Sequence, residues 1–111
     1  MTNQELDDWS AIKAMRWRRA SRHWVKDNKL QYAFDSWHPT ESIADAFMVI
    51  LINIDNPRLQ FFGLTLNKST IGGYIWEAKF YNGRRMYQAT ADKDKPSLAI
   101  CLAAKKAIEG K

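Results

Sequence analysis

Tyr81-Asn82-Gly83-Arg84 lies between two stretches that alternate polar and apolar residues, and that arrangement dictates a β-hairpin. Asn-Gly suits the two positive-φ positions of a type I′ turn, whose twist matches that of the flanking strands. A two-residue turn predicts pairing of Phe80 with Arg85, Ala78 with Tyr87, Trp76 with Ala89 and Tyr74 with Ala91. That face is mostly apolar and should meet helices. The opposite face, with Lys79 beside Met86 and Glu77 beside Gln88, should be partly solvated.

A hairpin is marginal alone and needs further layers. Leu59 to Leu66 supplies a third strand, with Leu59, Phe61 and Thr65 on one side and Phe62, Leu64 and Leu66 on the other. Upstream, Thr2 and Glu5 form a capping box that opens a helix, with Leu6, Trp9, Ile12 and Met15 as its buried stripe, ending near Trp17. Residues 22–34 read as a short hairpin around Lys26-Asp27-Asn28-Lys29. Thr40 is expected to cap a second helix whose inner stripe runs Ile43, Ala46, Phe47, Ile50, Leu51 and Ile54. Met48, Val49 and Ile52 add apolar surface on its other side, so the helix at 41–54 is either buried on more than one side or meets a second subunit, a possible homo-oligomer contact. The final helix starts near Pro96, buries Leu98, Cys101, Leu102 and Ile108, and stops at Gly110. Residues 1–111 thus form a single α+β domain, an antiparallel sheet layered with helices in the order α-ββ-α-βββ-α.

At 111 residues and 46% apolar content, the chain can bury a core without disulfides or metal. One cysteine, Cys101, rules out a disulfide framework and fits a reducing compartment. Neither a signal peptide nor a membrane-spanning run is present, so the expected setting is cytoplasmic.

Tyr87-Gln88-Ala89-Thr90-Ala91-Asp92, running into Pro96-Ser97-Leu98-Ala99-Ile100-Cys101-Leu102-Ala103-Ala104, resembles the last strand and C-terminal helix of the phage ABA sandwich domain family. Leu6 to Trp17, and His23-Trp24-Val25 through Trp37-His38-Pro39-Thr40 into Ile43-Ala44-Asp45-Ala46-Phe47, are similar to earlier parts of that family. The resemblance covers about residues 5 to 109. It departs from the family in the basic Arg16 to Arg22 segment and in the very apolar second helix. It implies an ABA-type sandwich and a phage or prophage setting, hence a bacterial host cytoplasm. It implies no activity, and it carries over no site residue.

Charge points to the partner. The chain carries 17 Lys and Arg against 12 Asp and Glu, a net +5 that suits an anion. Lys13, Arg16, Arg18, Arg19, Arg22 and Lys26 follow one another without an intervening acid, interleaved with Trp17, His23 and Trp24. Guanidinium groups bind phosphate bidentately and rings stack on bases. The bland alternative is a solvated helix end with its Trp residues in the core. Arg84 and Arg85 form a second basic spot, with Arg85 expected opposite Phe80 on the apolar face. Arg18, Arg19, Arg22, Trp24, Trp37, His38, Arg84 and Arg85 are the candidate ligand-binding residues. His23 and His38 have no partner at metal-ligand spacing, Cys101 lies on an inner stripe, and Gly72-Gly73 lacks the P-loop context. No enzyme, cofactor or metal is expected. The expected function is a non-enzymatic phage accessory protein that holds a small, anionic, nucleotide-like ligand and thereby sequesters a host defence signal. The alternatives are nucleic-acid binding through Arg16 to Lys26, and a protein-directed inhibitor of a host enzyme.

Overall fold

A computed structural model describes all 111 residues. Thr2 caps the first helix as its sequence predicts: its hydroxyl accepts from the Glu5 amide at 3.1 Å, and its own amide donates to the Glu5 carboxylate. This helix, α1, runs Asn3–Trp9 and widens into a π-helical turn over Ser10–Ala14. The widening rotates the downstream residues. Ala11, Ala14 and Met15 face the core, whereas Ile12, expected inside, is exposed. Arg16 ends the turn in the left-handed region at φ 61°, and the Trp17 amide donates back to the Ala11 carbonyl.

Three short strands follow: β1 Arg18–Ala20, β2 His23–Lys26 and β3 Lys29–Ala33. β2 and β3 form the expected hairpin, with Asp27 and Asn28 both at positive φ in a two-residue turn. β1, which alternation is too short to reveal, pairs with β2 through Arg19 and Trp24. A 3-10 turn at Phe34–Ser36 leads to Trp37, a core ring that touches Trp17 at 4.7 Å and Tyr32 at 5.1 Å between centroids. The Trp37 indole donates to the Asp7 carbonyl and the Ser10 hydroxyl, so its polar edge is satisfied as its body is buried. Truncating it to Ala removes about 3–5 kcal/mol.

The second helix, α2, spans Ile43–Ile52. Ser42, rather than Thr40, caps it, accepting from the Asp45 amide at 3.2 Å. Thr40 is instead drawn into the core, where its amide donates to the Asp7 carboxylate. The expected inner stripe is also partly reversed. Ala46 and Val49 face the core, while Ile43, Phe47 and Leu51 face outward. Small Ala46 lets the helices approach closely, and Asn53 pins the end of α2 by donating to the Ala14 and Val49 carbonyls.

The remaining strands are β4 Gln60–Lys68, β5 Tyr74–Tyr81 and β6 Met86–Asp92. The expectation of one sheet is corrected here: two separate three-stranded antiparallel sheets form, ordered β1-β2-β3 and β4-β5-β6. The register of β5 on β6 is also two residues from that expected. Phe80 faces Tyr87, Ala78 faces Ala89 and Trp76 faces Ala91. The cause is that the turn falls on Gly83-Arg84 instead of Asn82-Gly83: the Asn82 backbone amide donates to the Arg85 carbonyl at 3.1 Å, its side-chain oxygen accepts from the Arg84 and Arg85 amides, and Gly83 alone, not Asn82, takes a positive φ. In β4, a bulge between Phe61 and Gly63 switches faces, so Phe61 and Leu64 share the core side.

The third helix, α3, spans Pro96–Glu109, with Pro96 in its first turn and Gly110 at φ 73° ending it. It packs across β5 and β6 on one side and against α2 and the π-helical turn on the other. Ala99, Ala103, Ala104 and Ala107 are fully buried, so α3 is the thin middle of the sandwich.

A cationic cleft where three turns meet

Two turns of the same chemistry converge. In Asn56-Pro57-Arg58 the Asn56 side-chain oxygen accepts from the Arg58 amide at 3.0 Å. In Asn82-Gly83-Arg84 the Asn82 oxygen accepts from the Arg84 amide at 2.9 Å. Each asparagine mimics a backbone turn, and each turn ends in an arginine. The exit of the π-helical turn brings Lys13 and Arg16 to the same place.

The result is an open cleft of about 430 Å³ lined by Lys13, Arg16, Arg58 and Arg84, by Asn56 and Asn82, and by Ala107 and Ile108 of α3. No carboxylate lines it, and none of its four cations forms an ion pair. A smaller hollow of about 80 Å³ shares Arg16 and Asn56 and adds Lys26. Helix dipoles do not account for this charge. The ends of α3 and the π-helical turn together present about one negative charge, against four positive ones. Arg16 also holds a conformation that costs an L-residue roughly 1–2 kcal/mol.

Asn82 serves the cleft twice, since its amide also donates to the Ala107 carbonyl near the end of α3. Asn56 donates to the Asn53 side chain, which is itself tied to the π-helical turn. The cleft walls are therefore cross-linked by amides, and the four cationic groups take no part in holding them.

Of the residues expected from the sequence, Arg84 lines the cleft. Arg19 pairs with Asp8 at 2.9 Å and lies over the rings of Trp24 and Phe34, a structural position. Arg18 reaches Asn28, and Arg22 borders a separate hollow that it shares with Asp35. Trp24 and Trp37 are buried and present no ring face to a ligand. His38 lies between the Asp35 carbonyl and the Asp7 carboxylate, away from the cleft. Arg85 is exposed at the hairpin tip, and the changed register removes it from the position opposite Phe80. Arg58 was not among the expected residues. Its signal is the repeated spacing Asn-x-Arg in two turns, which local pattern reading treats as loop chemistry.

Cys101 is buried, and burial pushes its thiol well above the ordinary range, leaving it unreactive. No three His, Cys, Asp or Glu side chains come together where a metal ion would sit. No helix is long and apolar enough to cross a membrane.

The chain is similar in fold to a crystal structure of a phage protein from Bacillus cereus, with a TM-score of 0.57 at 16% identity over 94% of this chain and 89% of that one. No curated protein matches it. The family model for the phage ABA sandwich domain matches residues 8–105. That span runs from α1 into the last turns of α3, and the chain belongs to the phage ABA sandwich domain family.

Proposed function

We propose that this phage protein binds a small phosphate-bearing anion, nucleotide-like in charge, in the cleft of Lys13, Arg16, Arg58 and Arg84, and does not transform it. The carrying observation is the set of four unpaired cations around one concave site without a counter-charge. Arginine forks and a lysine ammonium together suit several phosphate oxygens at once. The cleft volume falls in the range of small-molecule sites, which favours a compact ligand over a polymer. Its lining holds no histidine, cysteine, serine or carboxylate to act as nucleophile or general base, which supports holding rather than chemistry.

The apolar lining is aliphatic, from Ala107 and Ile108, so recognition rests on phosphate and not on base stacking. Sequestration of a host signal is one use of such binding, and its support is the phage family setting alone.

Calorimetric titration with AMP, ADP, ATP, cyclic nucleotides and tripolyphosphate tests the reading. Saturable binding is expected, weakened by salt and strongest for the most highly phosphorylated ligands. At a ligand concentration a hundred times the Kd, the protein gains about 2.7 kcal/mol. Absence of both heat and melting shift across the panel, at low salt, would overturn it.

A further inference from the structure

Ile43, Phe47 and Leu51 of α2, with Ile54 just beyond it, form one outward stripe at helical spacing. These side chains are between 39% and 69% exposed, opposite the buried Ala46 and Val49. A groove of about 460 Å³ lined by Ile50, Ile54, Phe61 and Phe62, with Gln60 its one polar side chain, extends this surface to β4, an edge strand. Phe62 there is 61% exposed.

We propose that this face closes on a second copy of the same chain, with α2 packing on α2 across a twofold axis. Taking the low end, roughly 150 Å², of the range for an aromatic side chain and weighting by exposure, the two Phe and three smaller aliphatic residues present on the order of 400 Å² of apolar surface. That lies within the range of about 300–600 Å² for a monomer's largest patch, which is often functional. With a polar rim it approaches the roughly 800 Å² that each partner contributes to a standard interface.

Charge selects the occupant. From Ile43 to Ile54 the sole charged residue is Asp45, which is buried. Two copies, each at net +5, therefore meet along this face without opposing their cations. A lipid surface fits poorly: residues 41–57 contain no Lys or Arg, whereas helices that lie on membranes carry them on their polar face. An apolar surface beside an open strand edge also invites unlimited association. An isologous contact uses the surface once and stops. The groove beside Phe62 accepts a side chain from the partner's α2, and the twofold makes that contact reciprocal.

Sedimentation velocity of the full chain over about 1–100 µM tests this. A dimer is expected, with a dissociation constant little changed between low and high salt, since the contact carries no charge. Phe47→Asp with Leu51→Asp raises that constant by about a hundredfold or more. Both residues are solvent-exposed, so far-UV circular dichroism of the variant should match wild type. Phe47→Ala, a milder change, should weaken the dimer partially and gives a second reading if the double variant misfolds. A wild-type chain that stays monomeric at 100 µM, or a dimer that survives these substitutions, overturns the proposal. The anion titration is independent of this result, because the cleft is complete within one chain.

Discussion

A Cβ on Gly83 would stand 3.3 Å from the carbonyl oxygen of Pro57. The tip of the β5–β6 hairpin therefore rests on the Asn56-Pro57-Arg58 turn through bare backbone, and that contact sets the separation of Arg58 from Arg84. Gly83 also sits at φ 93°, which a side chain would strain whatever the space. Gly83→Ala should cost about 1–2 kcal/mol in chemical denaturation and should weaken anion binding more than loss of one hairpin-tip charge does. Arg85→Ala is the control, since Arg85 is exposed outside the cleft.

Neutralising the cleft should separate binding from folding. Arg58→Gln with Arg84→Gln is expected to abolish phosphate binding while the denaturation midpoint moves by no more than about 0.5 kcal/mol. Arg18→Gln with Arg22→Gln removes the same charge from the basic run and should leave titration curves nearly unchanged. Equal losses from both pairs would mean that net charge, and not the cleft, attracts the anion.

Arg16 shows a conflict between conformation and charge. Asn tolerates the left-handed region better than Arg does. Arg16→Asn should therefore raise stability by about 0.5 kcal/mol in urea denaturation and weaken binding in the same preparation. A variant both less stable and unaltered in affinity would remove Arg16 from the site.

Asn53 is buried, with its amide bridging the π-helical turn and α2. Asn53→Ala leaves the Ala14 carbonyl without its donor and should cost about 1–3 kcal/mol by thermal or urea denaturation.

His38 should give stability a pH dependence. Its Nε2 donates to the Asp35 carbonyl, leaving Nδ1 to face the Asp7 carboxylate at 3.6 Å. The Asp35 hydrogen bond chiefly, and then Asp7, raise the folded pKa above the ordinary value of 6.5. A raised pKa stabilises fully below the unfolded value, and that contribution is lost as pH rises through the folded one. Melting temperature should therefore fall between about pH 6 and 8, and His38→Gln should flatten that slope. Asp7 acts at lower pH with its own sign: burial, its largest influence, raises its carboxyl pKa, so its ionisation penalty is relieved on acidification.

Much of the architecture was legible locally. The Thr2 capping box, the Asp27-Asn28 turn, Pro96 and Gly110 each act within a few residues, and each does what its chemistry requires. Long-range choices were not legible. Alternation cannot say whether six strands make one sheet or two, and the turn settles on Gly83-Arg84 rather than Asn82-Gly83, which moves the register by two residues. The α2 stripe held at Ala46 and Ile50 but gave way to Val49 elsewhere, because small Ala46 and Val49 suit close packing in the core while Ile43, Phe47, Leu51 and Ile54 stay outside it. The basic run was visible as charge, but β1 and the turn at Ser21 scatter its arginines. The cleft instead gathers Arg58 and Arg84 from turns 26 residues apart in number, a convergence that no local pattern encodes.

The wide turn at Ser10–Ala14 holds one residue beyond what an ordinary helical wind accommodates. Forcing those same residues into ordinary α-helical winding, with none removed, would turn all that follows by about 100°. Lys13 and Arg16 would then swing off the wall they share with Arg58, and the cleft would lose half its charge through a change of winding that alters none of its cations.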